Sequence, residues 1–585
     1  MKEVRLFLIS FISVALLAGC EWGLEPENDN HSAFDRVFED PSFAEGLLIR
    51  SYIYLPTNDY RFDEPATDDA VTNDLVNSYL RIAKGEWTAL YNPQNLWDNC
   101  NRGILYANQF LDIVEMINWK PTDKEINDLF IRRLTGEAYA IRGIMKYYLI
   151  RNHAGPGASG KLMGIPIYDK FLENEDFFKP RDGFAESVQS AYNDFDKALA
   201  CLPADYGNVS VVPDRFGEVK DAYSYNYVMG DATQQRISGR HVKAFRARLA
   251  LLEASPAFNL NNDVSLWEKA ANMTAELLND IDGVNGNDPM GHQFYLKTQI
   301  DNGNLTANDK KDQPEMLWRR PVTSGRTWET NNFPPTLYGN GRINPTQNLV
   351  DAFPMKNGYP IHNPQSGYNP DKPYENRDPR LALYIIHDGS TFKSAKINTG
   401  VGAGDNGLNA KVNSTRTGYY LKKLLREDVN VNPASVQDQQ HIVTHIRYTE
   451  LFLNYAEAAN EAWGPVSSST HAYSSKDVIA AIRKRAGIDQ PDEYIAAITT
   501  KEEMRELIRN ERRLELCFES FRFWDLRRWK ADLNEPARGV RIENGAYNYF
   551  TVEERTYDNS YMHYGPVPYN EALKYGLEQN AGWGN

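Results

Sequence analysis

Hydrophobic residues recur at steps of three and four along two long stretches of the chain, which is the spacing of a helix with one buried face. The clearest series in the first stretch is Phe130, Leu134, Ala138, Ile141, Met145 and Tyr148. The same spacing returns in residues 187–202, 240–254, 448–463, 475–486 and 501–530. The pattern therefore predicts a helical region on each side of the middle of the chain.

Between about residues 284 and 445 this spacing is lost. Gly, Asn, Pro and Asp cluster there, as in residues 363–373, and short apolar runs such as residues 381–386 separate the clusters. This composition is typical of loops joined by short strands. Because the helices do not alternate with strands, a TIM barrel or a Rossmann fold is disfavoured, and stacked helix pairs of the tetratricopeptide type are favoured.

We therefore predict a mostly α fold in which tetratricopeptide-like helix pairs form a scaffold for a loop-rich ligand-binding face with short strands. The predicted parts are an N-terminal helical region, residues 32–283, and a loop-rich and C-terminal helical region, residues 284–585. The two regions are expected to form one compact body. The full tetratricopeptide consensus is not found at a 34-residue period, so the assignment rests on the pairing of helices rather than on a sequence repeat.

The first twenty residues have the pattern of an export signal. Lys2 and Arg5 precede an apolar run from Leu6 to Leu17, which is too short to span a bilayer but suits the core of a signal peptide. The run ends in Leu-Ala-Gly before Cys20, as in the bacterial lipobox, where the cysteine is acylated after cleavage. An ordinary secretory signal is the alternative. We predict a signal peptide at residues 1–19, a lipidated Cys20 and a flexible tether at residues 20–31.

The net charge and the composition indicate which classes of binding partner are disfavoured. The formal net charge is −15, so nucleic acid and anionic membrane surfaces are disfavoured as partners, because both attract basic proteins. Besides Cys20 the chain has only Cys100, Cys201 and Cys517, which cannot build a disulfide framework, and a buried free thiol is expected at Cys517. The chain also contains 34 Tyr, 25 Phe and 11 Trp at a mean hydropathy of −0.58. Some of these rings could provide flat surfaces for sugars.

Catalytic motifs are scarce. His441 and His445 are four residues apart, but the glutamate of an HExxH metalloprotease helix is missing between them. The chain has neither a GxSxG elbow nor a phosphate-binding loop. No cofactor is expected, although the oxygen-rich residues 282–288 could hold a structural calcium ion without having the EF-hand spacing. Paired carboxylates for glycoside hydrolysis stay open, because Asp and Glu are numerous.

Residues 509–529, RNERRLELCFESFRFWDLRRW, read as one amphipathic helix. Its charges can pair at i,i+3, as in Arg512 with Glu515 and Glu519 with Arg522, on a solvated face. As a string this block resembles the SusD/RagB family. Further segments that resemble the family in order are the lipobox and residues 67–70, 90–91, 107–111, 136–148, 249–259, 349–361, 376–381, 417–423, 453–462, 482–487 and 579–583.

This resemblance implies a helical fold with four tetratricopeptide-like helix pairs and a surface lipoprotein at the outer membrane, facing outside. The implied function is glycan binding without catalysis. The implied partner is a SusC-like TonB-dependent barrel, over which the protein would act as a lid. The alternatives are a helical-barrel glycoside hydrolase or polysaccharide lyase, and a surface adhesin.

Sugar binding needs aromatic faces for the ring and polar side chains for the hydroxyl groups. The resemblance and the local sequence together favour Trp87, near the TDDA segment at residues 67–70, and Trp328, which has polar neighbours on both sides. Tyr295, after a loop rich in Gly and Asn, is the third aromatic candidate. Arg81 and Asp68 are the polar candidates, and for both the alternative is that they hold loops in place.

Overall fold

The computed structural model describes residues 40–172, 178–302 and 313–584. The predicted signal peptide, the predicted lipidation site Cys20 and the predicted tether at residues 20–31 lie outside the described residues. Among the residues that are described, no helix combines the length and the apolar character needed to cross a membrane.

The helices predicted over residues 187–202, 240–254, 448–463 and 475–486 are present with nearly these bounds, and the series from Phe130 to Tyr148 lies within a longer helix. Up to residue 302 the helices of the structure are α1 (Pro41–Ile53), α2 (Ser78–Arg81), α3 (Trp97–Ile113), α4 (Lys124–His153), α5 (Phe184–Cys201), α6 (Ala222–Met229), α7 (Gly239–Ala254), α8 (Val264–Asn279) and α9 (Lys297–Asn302). Consecutive helices pack in pairs, α3 on α4, α4 on α5 and α7 on α8. This mostly helical architecture confirms the predicted fold class.

Helix α4 shows how sequence positions the scaffold. The Asp123 side chain caps its first turn by accepting from the amides of Glu125 and Ile126. Farther along, Gly143 lets α5 approach, since a Cβ atom there would lie 2.6 Å from Cε1 of Phe195. A side chain at this position would therefore push the two helices apart.

The later helices are α10 (Thr327–Asn332), α11 (Gln347–Ala352), α12 (Pro379–Tyr384), α13 (Tyr448–Trp463), α14 (Ser475–Arg485), α15 (Glu493–Ala497), α16 (Lys501–Leu516), α17 (Arg522–Arg528) and α18 (Tyr569–Tyr575). Capping boxes begin α14 at Ser474 and α16 at Thr500. Helix α13 packs against both α8 and α16, so it joins the N-terminal scaffold to the C-terminal helices.

The strands form two-stranded antiparallel ladders. These pair β1 (Ala70–Thr72) with β6 (Ile343–Pro345), β2 (Gly155–Pro156) with β3 (Leu162–Met163), β4 (Met316–Arg319) with β12 (Thr444–Arg447), β5 (Thr323–Gly325) with β11 (Gln439–His441), β7 (Ile385–Ile386) with β10 (Tyr420–Leu421), β8 (Ser390–Phe392) with β9 (Ala395–Ile397), and β13 (Ala537–Glu543) with β14 (Ala546–Glu553). The β1–β6 ladder ties the segment after residue 69 to the loop-rich region.

Among the described residues, buried apolar side chains form a large cluster through the helical scaffold, a second cluster under the loop-rich region and a smaller third cluster around Trp87. The large cluster takes residues from both sides of the predicted boundary at 283/284, for example Leu278 and Leu453. Cys517 is a buried free thiol as expected, and burial raises its pKa to about 12. Cys100 and Cys201 are also free.

The prediction of one helix over residues 501–530 is wrong. Helix α16 ends at Leu516, and the chain turns through Phe518 and Ser520, whose φ angles are 64° and 65°, before α17 begins. The turn directs Glu519 inward, where its carboxylate binds Arg447 (2.8 Å) and Lys423 (2.7 Å). These charge-assisted contacts compensate the left-handed backbone at the turn.

The predicted solvated charge face of this block is also wrong, because most of its charged side chains are buried. Arg512 pairs with Asp525 (2.7 Å) rather than with Glu515, which instead binds Arg380 (2.9 Å). Arg380 is fully buried and also contacts Glu511 (2.9 Å). Buried charges need partners, so the block acts as an ionic junction between the helices and the loop-rich region.

Candidate functional site

The candidate site is built around Trp328, which lies in the first turn of the short helix α10. Its ring is partly buried and contacts the rings of Tyr60 (centroids 5.6 Å apart), Phe62 (5.8 Å) and His441 (4.9 Å). His441 is brought there because β11 pairs with β5, the strand that precedes α10. These contacts fix the orientation of the indole while part of its surface stays open to solvent.

Polar groups surround this indole. The Asp59 carboxyl lies beside Trp328, and desolvation of this carboxyl raises its pKa above the usual value. Arg320 contributes a positive charge near the same carboxyl. His441 Nε2 lies 2.8 Å from Oε1 of the buried Glu329, which holds the imidazole in place. The arrangement thus offers a ring face with a carboxylate and a guanidinium beside it.

A second group of accessible rings lies around Tyr91. The Arg81 guanidinium stacks 4.3 Å from the centre of the Tyr91 ring and pairs with Glu86 at 2.5 Å. Nearby, Arg61 donates from Nε to the Tyr79 hydroxyl (3.2 Å). The described side chains here are partly exposed, so rings and charged groups alternate along this surface.

Residues 59–62 connect the two groups, because Asp59 and Phe62 face Trp328 whereas Arg61 contacts Tyr79. We call the combined surface the platform; its accessible members are Asp59, Arg61, Phe62, Tyr79, Arg81, Tyr91, Arg320 and Trp328. Flat rings with neighbouring hydrogen-bonding groups are the chemistry that recognises the apolar faces and the hydroxyl groups of sugars. Of the five predicted ligand residues, the structure brings Trp328 and Arg81 to this surface.

Trp87 does not belong to the platform. It is 1% exposed, and its ring packs edge-on against Phe523, Tyr557 and Trp583 with centroids 5.5, 6.2 and 4.8 Å away. Its indole N–H donates to Asn92 Oδ1 (2.9 Å). The ring is enclosed by the C-terminal tail, so the prediction that Trp87 stacks on a ligand is corrected to a role in the core.

Tyr295 is buried as well, with 2% of its surface exposed. Its ring packs edge-on against Phe294, and its hydroxyl donates to the carbonyl of Leu383 (3.3 Å). The residue belongs to the cluster under the loop-rich region. The prediction that Tyr295 contacts a ligand is therefore corrected. The residues before Tyr295 read as a loop, but the Tyr295 side chain itself is buried.

Asp68 has a structural role, which was the alternative to ligand binding predicted for this residue. Its carboxylate is 6% exposed, binds Arg522 through two hydrogen bonds (2.9 and 2.7 Å) and pairs with Arg513 (2.9 Å). Burial alone would raise its pKa, but the charges of Arg513 and Arg522 outweigh burial and hold the pKa well below the usual value. The carboxylate is thus occupied in joining the TDDA segment to helices α16 and α17.

Sequence reasoning missed Phe62, Tyr79 and Arg61 as members of the platform. A signal was present in residues 60–62, where rings and an arginine alternate as they would on an extended segment with two faces. Tyr91 stands in a segment that carried the family resemblance but received no role of its own. Only the fold places these residues beside Trp328 and Arg81.

A cavity of about 100 Å³ is lined by Asp59, Tyr60 and Arg61 among others. Carboxylates that line it are bound by arginines, as in Glu450 with Arg248. Such pairs explain how the charges are tolerated in the interior, and they give this cavity a structural role.

The carboxylates of the predicted calcium segment accept hydrogen bonds from nearby protein groups. Asp282 accepts from Asn285 Nδ2 (3.1 Å), and Asp288 accepts from the amides of Met290 (2.9 Å) and Glu315 (3.2 Å). Across the described ranges, no group of three or more His, Cys, Asp or Glu side chains is arranged to hold a metal ion. Calcium binding at this segment stays a prediction.

Two family models match the chain in successive parts. The model described as the SusD family, SusD_RagB, matches residues 297–583, and the model described as starch-binding and associating with the outer membrane matches residues 46–224. A curated relative, SusD-like protein P38 of Formosa agariphila, is 22% identical over 557 residues, which are 90% of this chain and 91% of the relative.

Solved structures share the fold. A SusD-like protein from Bacteroides fragilis superposes with a TM-score of 0.70 at 22% identity, covering 94% of this chain and 99% of that one. A SusD-like carbohydrate-binding protein from the same species gives 0.66 at 20% identity, covering 92% and 98%. The chain belongs to the SusD/RagB family, a family of carbohydrate-binding proteins associated with the outer membrane rather than of enzymes.

Proposed function

We propose that this protein binds oligosaccharide or polysaccharide chains at the platform, on the cell surface, and delivers them to a TonB-dependent outer-membrane transporter. The observation that carries the proposal is the partly exposed Trp328 indole, which three other rings hold in a fixed orientation beside Asp59 and Arg320. A preorganised ring loses little conformational freedom on binding, so stacking on a sugar would add to affinity.

The anchor and the transporter belong to the same proposal. The lipobox ending at Cys20 supports attachment to the outer membrane through acyl chains, with the platform facing outside. Family membership supports a SusC-like barrel as the partner that takes up the glycan. Detergent extraction of a tagged full-length copy should co-purify such a barrel, and a free protein under all growth conditions would contradict the delivery step.

The binding step is tested with Trp328→Ala on affinity gels that contain starch, laminarin, xylan or mannan. Loss of the stacking ring should reduce the binding free energy by about 0.5–1.5 kcal/mol, in addition to the loss from the smaller contact area. This corresponds to an affinity that is about 2- to 12-fold lower. Trp463→Ala is the matched control, since Trp463 is also partly buried but contacts Glu268 and His471. Equal retention of both variants would contradict the platform, and release of reducing ends would contradict binding without catalysis.

A further inference from the structure

Two neighbouring concavities lie where the loop after Trp87 meets helix α18. One, of about 150 Å³, is lined by Asn92, Asn95 and Asn570 among others, and the next, of about 310 Å³, is lined by Tyr168 and Tyr575 among others. Both are also lined by Asp98 and Glu571, so the two concavities adjoin. We call this feature the α3–α18 groove. The larger concavity alone reaches the lower end of the roughly 300–1,000 Å³ range of ligand sites.

The side chains of Asn92, Asn95 and Asn101 in this groove each use only one of their two amide atoms in hydrogen bonds within the described part of the protein. Asn92 Oδ1 accepts from Trp87 Nε1 (2.9 Å), Asn95 Oδ1 accepts from the Trp97 amide (2.8 Å), and Asn101 Nδ2 donates to the Trp97 carbonyl (3.0 Å). In the described part of the chain, no protein hydrogen bond is made by Asn92 Nδ2, Asn95 Nδ2 or Asn101 Oδ1. Donors and acceptors are thus both left for a ligand.

The junction of the two concavities is acidic. Asp98 and Glu571 line both concavities, and burial together with the charge of Asp98 raises the pKa of Glu571. Adjacent carboxylates accept hydrogen bonds well and are suited to pairs of neighbouring hydroxyl groups.

Aromatic rings complete the larger concavity. Tyr575 is partly buried, with Phe178 packed edge-on against it at 5.4 Å, and Tyr168 lies on the same lining. Side-chain amides, paired carboxylates and ring surfaces in one concavity match a hydroxyl-rich chain with apolar ring faces better than they match a purely apolar ligand.

The groove shares a loop with the platform. Tyr91, which carries the stacked Arg81, lies between Leu90 and Asn92, and both neighbours line the smaller concavity. The amide of Tyr569 donates to the Ala89 carbonyl (3.1 Å), so helix α18 is held directly against this loop. The loop after Trp87 therefore contributes residues both to the platform and to the groove.

We propose that the α3–α18 groove is a second carbohydrate-binding subsite, which holds a distal segment of the same extended oligosaccharide that the platform binds. This inference rests on the proposed function, because the platform supplies the first contact. It predicts that affinity depends on chain length beyond the segment that covers Trp328, since the groove adds contacts that short ligands do not reach.

The test begins with the wild-type protein on gels of starch, laminarin, xylan and mannan, followed by calorimetry with oligosaccharides of increasing length from the retained polysaccharide. Three variants follow: Tyr575→Ala, Asn101→Ala, and Asn570→Trp, which fills the smaller concavity from an exposed position. The matched control is Tyr223→Ala, since Tyr223 is 70% exposed on α6, away from the groove lining.

Each groove variant should bind long oligosaccharides about 2- to 10-fold more weakly than the wild type does. The groove variants and the wild type should bind short oligosaccharides equally well. Trp328→Ala should weaken both. If the wild type binds a glycan but its affinity does not rise with length, or the groove variants match Tyr223→Ala, the groove proposal is overturned while the platform stands. If the wild type retains none of the polysaccharides, the proposed function and the groove proposal both fail.

Discussion

Replacement of Asp68 by asparagine tests the structural role assigned to this carboxylate. The substitution keeps the volume of the side chain but removes the charge that faces Arg513 and Arg522 in the interior. Arg513 keeps Asp69 as a partner at 2.6 Å, whereas Arg522 is left with the same carboxylate at 3.9 Å. Breaking a buried ion pair from one side costs about 3–5 kcal/mol, and the retained Arg513–Asp69 contact favours a loss near 3 kcal/mol.

The loss is measured by urea unfolding at neutral pH, followed by tryptophan fluorescence. Asp74→Asn is the matched control, because the Asp74 carboxylate is about one-third exposed and lies 3.9 Å from Arg342. A partly exposed pair of this kind contributes at most about 1 kcal/mol. If Asp68→Asn destabilises the protein no more than Asp74→Asn does, the ion pairs between the TDDA segment and helices α16 and α17 do not contribute measurably to the free energy of unfolding.

The pH dependence provides a second check. The pKa of Asp68 is lowered on folding, so its stabilising effect is present above the unfolded pKa of about 3.9 and is lost as the pH falls through the folded value. The stability difference between wild type and Asp68→Asn should therefore stay constant near neutral pH and narrow below about pH 4. Under conditions in which it is folded, the Asp68→Asn variant should retain glycan affinity. If the folded variant loses glycan affinity, Asp68 contacts the ligand after all.

Further predictions concern packing and the anchor. Gly143→Ala should destabilise the protein by about 1–3 kcal/mol in urea unfolding, because the new Cβ would meet Phe195 at 2.6 Å. Gly46→Ala in α1 is its control and should instead stabilise by about 0.5–1 kcal/mol, since nothing lies within 4 Å; equal effects would contradict the close packing of α4 on α5. Cys20→Ala should shift the protein from the membrane fraction to the soluble fraction, and continued membrane retention would contradict the lipid anchor.

Local sequence was sufficient to predict the helical scaffold. The i,i+3/i+4 spacing of apolar residues predicted α4, α5, α7, α13 and α14 to within a few residues, because each of these helices buries a continuous stripe against a neighbour. The same periodicity failed at residues 517–521. There the turn is imposed by Glu519 binding Arg447, a residue far away in sequence that no local pattern can pair with it.

The helical scaffold, the loop-rich middle and the motifs of the SusD/RagB family can all be predicted from the order of residues in the chain. Which aromatic rings face solvent depends instead on long-range packing. Trp87 and Trp328 both stand among polar neighbours, but the C-terminal tail covers Trp87, whereas the contacts of Trp328 with Tyr60, Phe62 and His441 leave part of its ring open. Exposure depends on which distant segment packs over a side chain, and that information is not contained in the residues around it.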